Sequence, residues 1–270
     1  MSVGKLTILG NGSALPTFQN NPPSQLLELT DKTFMIDCGE GAQLTLRQMG
    51  IRTARLYNIF ISHLHGDHCF GLIGLISTFG MMNRTQPLHI YAHADLEKLL
   101  RPLLDYHCQG MSYEVIFHPI NPRKREIIYE DRTVLVETIP LKHTVPTCGF
   151  LFYERHREWN EQTQAFDHPL RKRYAYCSDT QFKPAIVEQI QGVDVLYHEA
   201  TYVEEDAFRC KTTMHSTARQ AATIAKEAGV GQLIIGHYSS RINEHERFLA
   251  EAKEVFENTQ KAESKQVFEI

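Results

Sequence analysis

No Cys-x-x-Cys pair occurs in this chain, although six cysteines (Cys38, Cys69, Cys108, Cys148, Cys177 and Cys210) are scattered along its 270 residues. That spacing excludes a zinc ribbon or a dithiol redox motif, and it fits reduced thiols in a cytoplasmic protein better than a disulfide framework. Positive charge is not in excess either. With 28 Lys and Arg against 32 Asp and Glu, the formal net charge is −4. A nucleic-acid partner would have to be held by local patches and by the site itself, not by a global field. Long apolar runs are also missing. The most apolar stretch, 69–82, is interrupted by Gly, Ser and Thr, which argues against a membrane span, and the start MSVGKLTILGNGSALP lacks the layout of a signal peptide. No linker, internal repeat or low-complexity tract divides the chain. At 42% hydrophobic it is long enough for one domain, 1–270, with a full core.

What the chain does have is a series of short β-rich runs: LTIL, SQLLEL, TFMID, NIFI, LHIYA, YEVIF, TVLVETI, GFLFYE, RYAYC, DVLYHE and QLIIG. Helical patterns alternate with them at 42–49, 70–81, 95–104, 217–228 and 244–257. Strands dominate the middle and helices recur near both ends, which predicts an α/β sandwich of two packed sheets with helices outside. Residues 155–173, RHREWNEQTQAFDHPLRKR, are polar and without clear period, so they read as a loop or insertion.

The stretch ISHLHGDHCFGL, 61–72, packs three histidines and an aspartate into six residues between a strand and a helix. Two apart in extended chain, His63 and His65 can point the same way. Asp67 and His68 follow where the chain turns, and so face a slightly different point. One cluster can therefore serve two neighbouring ions. Further ligands are expected at other strand ends, where His143, Asp179 and His237 each follow a β-rich run. His63, His65 and His143 would form one site; Asp67, His68 and His237 would form the second; Asp179, with two oxygens, could bridge the ions. Imidazoles and carboxylates without thiolate suit two divalent ions, Zn first, with Mn or Fe as alternatives. His89, His93, His107, His118, His156, His168 and His245 have no such context.

H-x-H-x-D-H on a strand–helix loop, followed by single His, Asp and His ligands in that order, resembles the metallo-β-lactamase superfamily. LTILGNGSALPT, MIDCGEGAQLTLRQMGI, IFISHLHGDHCFGLIGL, PLKHTVPTCGF, YCSDT, HEATY, MHST and GHYSSR resemble, in order, the motifs of ribonuclease Z. The match runs from about Leu6 to Arg241, with HEATY and HST its most discriminating part.

The resemblance implies an αβ/βα four-layer sandwich of two mixed sheets with outer helices, and an endonuclease that removes the 3′ trailer from precursor tRNA, leaving a 3′-hydroxyl. It implies that Glu199 and His215 pair near the metal ions and deliver a proton to the leaving 3′ oxygen, and that Asp67 accepts one. It further implies a homodimer. His198 would support the site, Arg241 would touch substrate phosphate, and Ser178 and Thr180 would orient Asp179 by hydrogen bonds. Two departures stand out. Gln19 and Asn20 replace a basic residue of the family, and only a short insertion at about 153–173 takes the place of the long basic arm that grips tRNA. Across 153–173, Arg155, Arg157, Arg171, Lys172 and Arg173 face Glu154, Glu158, Glu161 and Asp167, five minus four, a net of +1. The alternatives are a hydrolase of small phosphodiesters, sulfate esters or thioesters on the same metal site, and a non-catalytic nucleic-acid-binding member, for which the full ligand set would be superfluous.

Overall fold

Every β-rich run of the sequence becomes a strand. The computed structural model describes residues 4–18, 20–156, 158–162, 164–242 and 244–270, so Gln19 and Arg157 lie outside the described residues. The strands of the two main sheets, in chain order, are β1 (Lys5–Gly10), β2 (Ser24–Leu29), β3 (Lys32–Cys38), β4 (Leu56–Phe60), β5 (Leu88–His93), β6 (Val115–Ile120) and β7 (Ile127–Glu130). There follow β8 (Val134–Pro140), β9 (Cys148–Arg155), β10 (Leu170–Cys177), β11 (Val195–Glu199), β12 (Gln232–Gly236), β13 (Thr259–Lys261) and β14 (Val267–Glu269). One seven-stranded sheet has the order β14-β1-β2-β3-β4-β5-β6, and the other β13-β12-β11-β10-β9-β8-β7.

Each sheet is mixed. β3 to β6 run parallel in the first and β10 to β13 in the second, while the remaining neighbours are antiparallel. Between the sheets lies an aromatic-rich core with Phe34, Phe60, Phe150, Phe152, Tyr174 and Tyr197. On the outer face of the first sheet, helices Ala42–Gln48, Leu72–Met81 and Asp95–His107 bury Leu46, Leu75, Ile76, Leu96 and Leu100. Helices Ala218–Ala228 and His245–Lys253 cover the second with Ala221, Ala225, Phe248 and Ala252. Helix, sheet, sheet and helix thus form four layers, the αβ/βα sandwich expected. No helix among the described residues is long and apolar enough to cross a membrane.

Three strands escape the sequence pattern for a physical reason. β7 is an edge strand whose residues are all exposed or half-buried, and β13 and β14 are three residues each, too short to show a period of two. The helix expected over 70–81 starts later, at Leu72. Gly71 precedes it, giving its N–H to Cys38 O at 2.9 Å, and a Cβ there would lie 2.2 Å from Gly39 O. Only glycine permits that approach, which pins the histidine-rich loop against the end of β3.

Residues 155–173, read from the sequence as a loop or insertion, have regular structure. β9 and β10 pair antiparallel out to Arg155 and Leu170, and a hairpin of Glu158–Asn160 with Ala165–Asp167 joins them. Among the described residues, three of its arginines are spent within the molecule. Arg155 pairs with Glu130, Arg171 with Asp194 at 2.7 Å, and Arg173 with Asp194 at 2.7 Å and Glu154 at 3.2 Å.

Candidate metal centre

Parallel strands deliver their C-terminal ends to one rim, and the candidate ligands sit there. His63, His65, Asp67 and His68 follow β4; Asp179 follows β10, Glu199 ends β11 and His237 follows β12. His143 follows antiparallel β8, which ends at the same rim.

The ligand atoms fall into two groups. His65 Nδ1 lies 3.1 Å from His63 Nε2 and 3.2 Å from His143 Nε2, and Asp179 Oδ2 lies 3.6 Å from each of those two Nε2 atoms. On the other side, His68 Nε2 lies 3.4 Å from Asp67 Oδ2 and 3.4 Å from Asp179 Oδ1. His237 Nε2 stands 3.1 Å from Asp179 Oδ1 and 4.0 Å from Asp67 Oδ2. Four donors around one ion at about 2.0–2.1 Å stand about 3.3 Å apart on a tetrahedron, so both groups have the spacing of a metal shell. Asp179 offers one oxygen to each.

A fit test on hydrogen bonding gives the same answer. His68 Nε2, His237 Nε2 and Asp179 Oδ1 are buried and make no hydrogen bond among the described residues. Buried polar atoms are rarely left so. Here three converge on one point, and a divalent cation satisfies all of them.

The far sides of the rings are held. Ser62 Oγ lies 3.0 Å from His63 Nδ1, Asp37 Oδ2 2.7 Å from His68 Nδ1, Met214 O 3.0 Å from His143 Nδ1, and Thr201 Oγ1 2.9 Å from His237 Nδ1. Fixing the distal nitrogen fixes the tautomer and aims the other nitrogen at the metal. His237 itself has φ 63, a left-handed backbone uncommon for a non-glycine residue and typical of functional sites.

Electrostatics without a metal ion follow from this crowding. Burial pushes the His63 pKa well below its ordinary value, helped by neighbouring His68. Burial alone would raise Asp179, but His237, His68 and His63 around it hold its carboxyl well below the usual range. Asp67 is lowered in the same way against its own desolvation, by the neighbouring imidazoles of His237 and His68.

Glu199 and His215 meet beside the cluster, at 2.9 Å between Oε1 and Nδ1. Glu199 is fully buried and saturated with donors: Thr180 N at 3.1 Å, Ser216 N at 3.0 Å, Thr201 N at 2.9 Å and Thr201 Oγ1 at 2.8 Å, besides His215. A carboxylate so placed stays ionised, and its pKa is lowered although burial opposes this. Burial would lower His215 too, but the Glu199 charge and hydrogen bond prevail and push it up to about 9. A ring nitrogen of His215 lies within 4.8 Å of ligand atoms of Asp179 and His237, so the proton it holds is at the metal cluster.

A pH prediction follows with a definite sign. His215 is raised above its ordinary value of 6.5, so its pairing with Glu199 stabilises the metal-free fold fully below pH 6.5, and this contribution is lost as pH rises through about 9. Ring titration by NMR on metal-free protein is expected to show His215 near 9, and below 6.5 in Glu199→Gln. A His215 that titrates unchanged in that variant would contradict the pairing.

Some expected roles are placed elsewhere. Thr180 gives its N–H to Glu199 and its hydroxyl to Gln181 O, and Ser178 Oγ lies 3.1 Å from Ser62 Oγ. Neither side chain bonds Asp179 among the described residues. His198 is buried with Nδ1 2.7 Å from Glu199 O, and its Nε2 has no hydrogen-bond partner among the described residues. Arg241 is exposed in the turn after Tyr238–Ser239 and has no carboxylate partner among the described residues.

Sequence reasoning assigned no role to Asp37, and the structure gives it a central one. Fully buried and left-handed at φ 55, it accepts from Ser62 N at 2.7 Å, Ser62 Oγ at 2.9 Å and Tyr176 OH at 2.7 Å, besides His68. Through Ser62 it also reaches His63, and so supports a ligand of each group. The one available signal was an acid closing the apolar run TFMID before CGEG. Asp37→Asn keeps a side chain that tolerates this backbone, and it is expected to weaken metal binding about 10–100-fold, the scale for outer-shell partners. A chelator competition titration with thermal melts checks this; unchanged affinity would refute it.

The fold and site define a metal-dependent hydrolase of the metallo-β-lactamase fold. A family model described as anti-Pycsar protein Apyc1 matches residues 4–261. A protein named ribonuclease Z from Phocaeicola vulgatus is 49% identical over 93% of this chain and 93% of its own length, and one from Porphyromonas gingivalis is 45% identical over 96% of each. Among solved structures, human short-form tRNase Z superposes with a TM-score of 0.80 at 24% identity over 98% of both chains. The metallo-β-lactamase fold protein YhfI of Bacillus subtilis gives 0.77 at 22% over 100% of both. By these relatives the chain belongs to the ribonuclease Z family, and it is a metal-dependent endoribonuclease.

Proposed function

We infer that this enzyme removes the 3′ trailer from precursor tRNA and leaves a 3′-hydroxyl on the tRNA. The single observation that carries the reading is the two-sided ligand cluster with Glu199 and His215 beside it, in a chain with ribonuclease Z relatives. His63, His65, His143 and Asp179 would hold one divalent ion, and Asp67, His68, His237 and Asp179 a second. Zinc suits this nitrogen and oxygen set best. When bound, the pair supplies positive charge for a phosphoryl oxygen and makes water acidic enough to attack near neutral pH.

The protein's own groups manage the protons. Asp67, ionised and partly open to solvent, is placed to accept one from the attacking water. His215, kept charged by Glu199, gives one to the departing 3′ oxygen. Arg241 is a candidate contact to substrate phosphate.

The chain is read as one domain whose short 153–173 insertion does not grip tRNA as an arm, since Arg155, Arg171 and Arg173 are already paired. A homodimer is supported by exposed Leu44, Phe70 and Met81 on and beside the helices covering the first sheet. Six free buried cysteines support a reducing, cytoplasmic location.

The test compares metal-loaded protein on precursor tRNA and on a small aryl phosphodiester. The expected result is kcat/KM higher on the tRNA by several orders of magnitude, with chelation abolishing both activities. A preference for the small ester would favour the small-molecule hydrolase instead.

A further inference from the structure

Next to the metal cluster runs a groove that none of the roles above uses. A cavity of about 500 Å³ is lined by His93, Ala94, Ile120, Asn121, Arg123 and Pro146. Thr144, two residues before Pro146, has its hydroxyl 3.4 Å from His65 Nε2. β4 and β5 pair in parallel with Phe60 beside Tyr91, and Ile61 N donates to Tyr91 O at 2.9 Å. Ser62 and His93 each follow two residues after this last paired position, so both chains leave the sheet at the same rim.

A second cavity of about 440 Å³ shares His93 and Ala94 with the first. It continues between helix Asp95–His107 and the edge strand β6, past Lys98, Arg101 and Phe117. The two form one groove leading away from the metal cluster along the open edge of the first sheet.

Its chemistry is that of a backbone track. Arg123 is exposed and has no carboxylate within ion-pair distance among the described residues. The Arg101 guanidinium lies over the Phe117 ring at 5.1 Å while pairing with Glu97 at 2.6 Å, and Lys98 pairs with Asp95 at 2.6 Å. With Lys98 and Arg101 paired to Asp95 and Glu97, Arg123 is the cation left for a phosphate, and the Phe117 ring offers an aromatic face; the two together suit a single-stranded polynucleotide. On the opposite flank, beyond Asp67 and His237, the described residues that line the cavity of Leu15, Thr17, Phe18, Tyr238, Ser239 and His245 include no Lys or Arg, Arg241 standing between two of them in the chain.

We propose that the groove from Pro146 past His93 and Arg123 to Arg101 takes the single-stranded RNA on the 3′ side of the cut, with Arg123 holding a phosphate within its first few nucleotides. The proposal rests on the trailer-removing reading above. Arg123 is then a specificity residue for trailer length, acting on binding and not on the chemical step.

The test uses precursors with one tRNA body and trailers of one nucleotide up to about ten nucleotides. On the longer trailers Arg123→Ala is expected to raise KM about 5–10-fold with kcat unchanged, the scale of one charged hydrogen bond at an open site. The one-nucleotide trailer should show no effect, and Arg123→Lys should restore most of the loss. The salt slope for the long trailers should fall by about 0.7 as one phosphate contact is removed. A 4-thiouridine at the third trailer position should crosslink to peptides holding His93 or Arg123. An Arg123→Ala effect independent of trailer length, or crosslinks to the flank holding Leu15 and Ser239, would overturn the proposal alone. Wild-type protein that cuts none of the precursors would overturn the trailer-removing reading and the proposal with it.

Discussion

Asp179→Ala is expected to bring bound metal from about two ions per chain to one or fewer, and to lower kcat on precursor tRNA by at least about 10²–10³-fold, the scale of losing one charge-stabilising group. The reason lies in its two oxygens. Oδ2 faces His63 and His143 while Oδ1 faces His68 and His237, so one substitution takes a carboxylate from both ligand groups. Of the charges that offset the clustered imidazoles, Asp179 is the one between the two groups, and two like cations a few ångströms apart repel without a bridge. Asp179→Asn keeps one oxygen and is expected to lose less metal than the alanine variant. Elemental analysis on dialysed protein, with melting curves to confirm folding, checks both. Two ions retained in Asp179→Ala would mean that the carboxylate does not bridge.

Glu199→Gln and His215→Ala are each expected to slow turnover by roughly 10²–10⁴-fold with metal content intact, the range for general acid–base groups. The argument runs through the hydrogen bonds. Five donor contacts fix Glu199 as an anion, and its charge keeps the His215 ring protonated at physiological pH. Removing the carboxylate leaves a neutral imidazole, too weak an acid to protonate the departing oxygen; removing the imidazole leaves a carboxylate with nothing to charge. The double variant should therefore be little worse than either single one, because the two act as a unit. Losses that multiply would show that they act separately.

Part of this site was legible because its ligands are local. H-x-H-x-D-H shows itself within six residues, and its position between a strand and a helix follows from hydrophobic patterning alone. His143, Asp179 and His237 were legible only in company, as polar residues just beyond apolar runs. Asp37 was not, since its importance depends on a left-handed backbone and on sheet packing that brings Ser62 and Tyr176 to it from 25 and 139 residues away. Ser178 and Thr180 were given the wrong partner for a related reason: adjacency to Asp179 in the chain does not say where a hydroxyl points. In the fold, the strands missed were an exposed edge and two three-residue pieces, where no periodic signal can exist. The 155–173 hairpin was missed because its polar residues pair with each other and with Glu130 and Asp194 instead of facing a core.

The central claim is that this metal cluster cuts RNA at one place, the 3′ end of the tRNA body. Mapping both new ends after metal-loaded protein acts on a labelled precursor tRNA tests it most directly. The account predicts a single cut, with a 3′-hydroxyl on the tRNA and a 5′-phosphate on the released trailer, that disappears in His63→Ala. A cut at scattered positions, a 3′-phosphate on the tRNA, or an uncut precursor beside efficient hydrolysis of small phosphodiesters would contradict it.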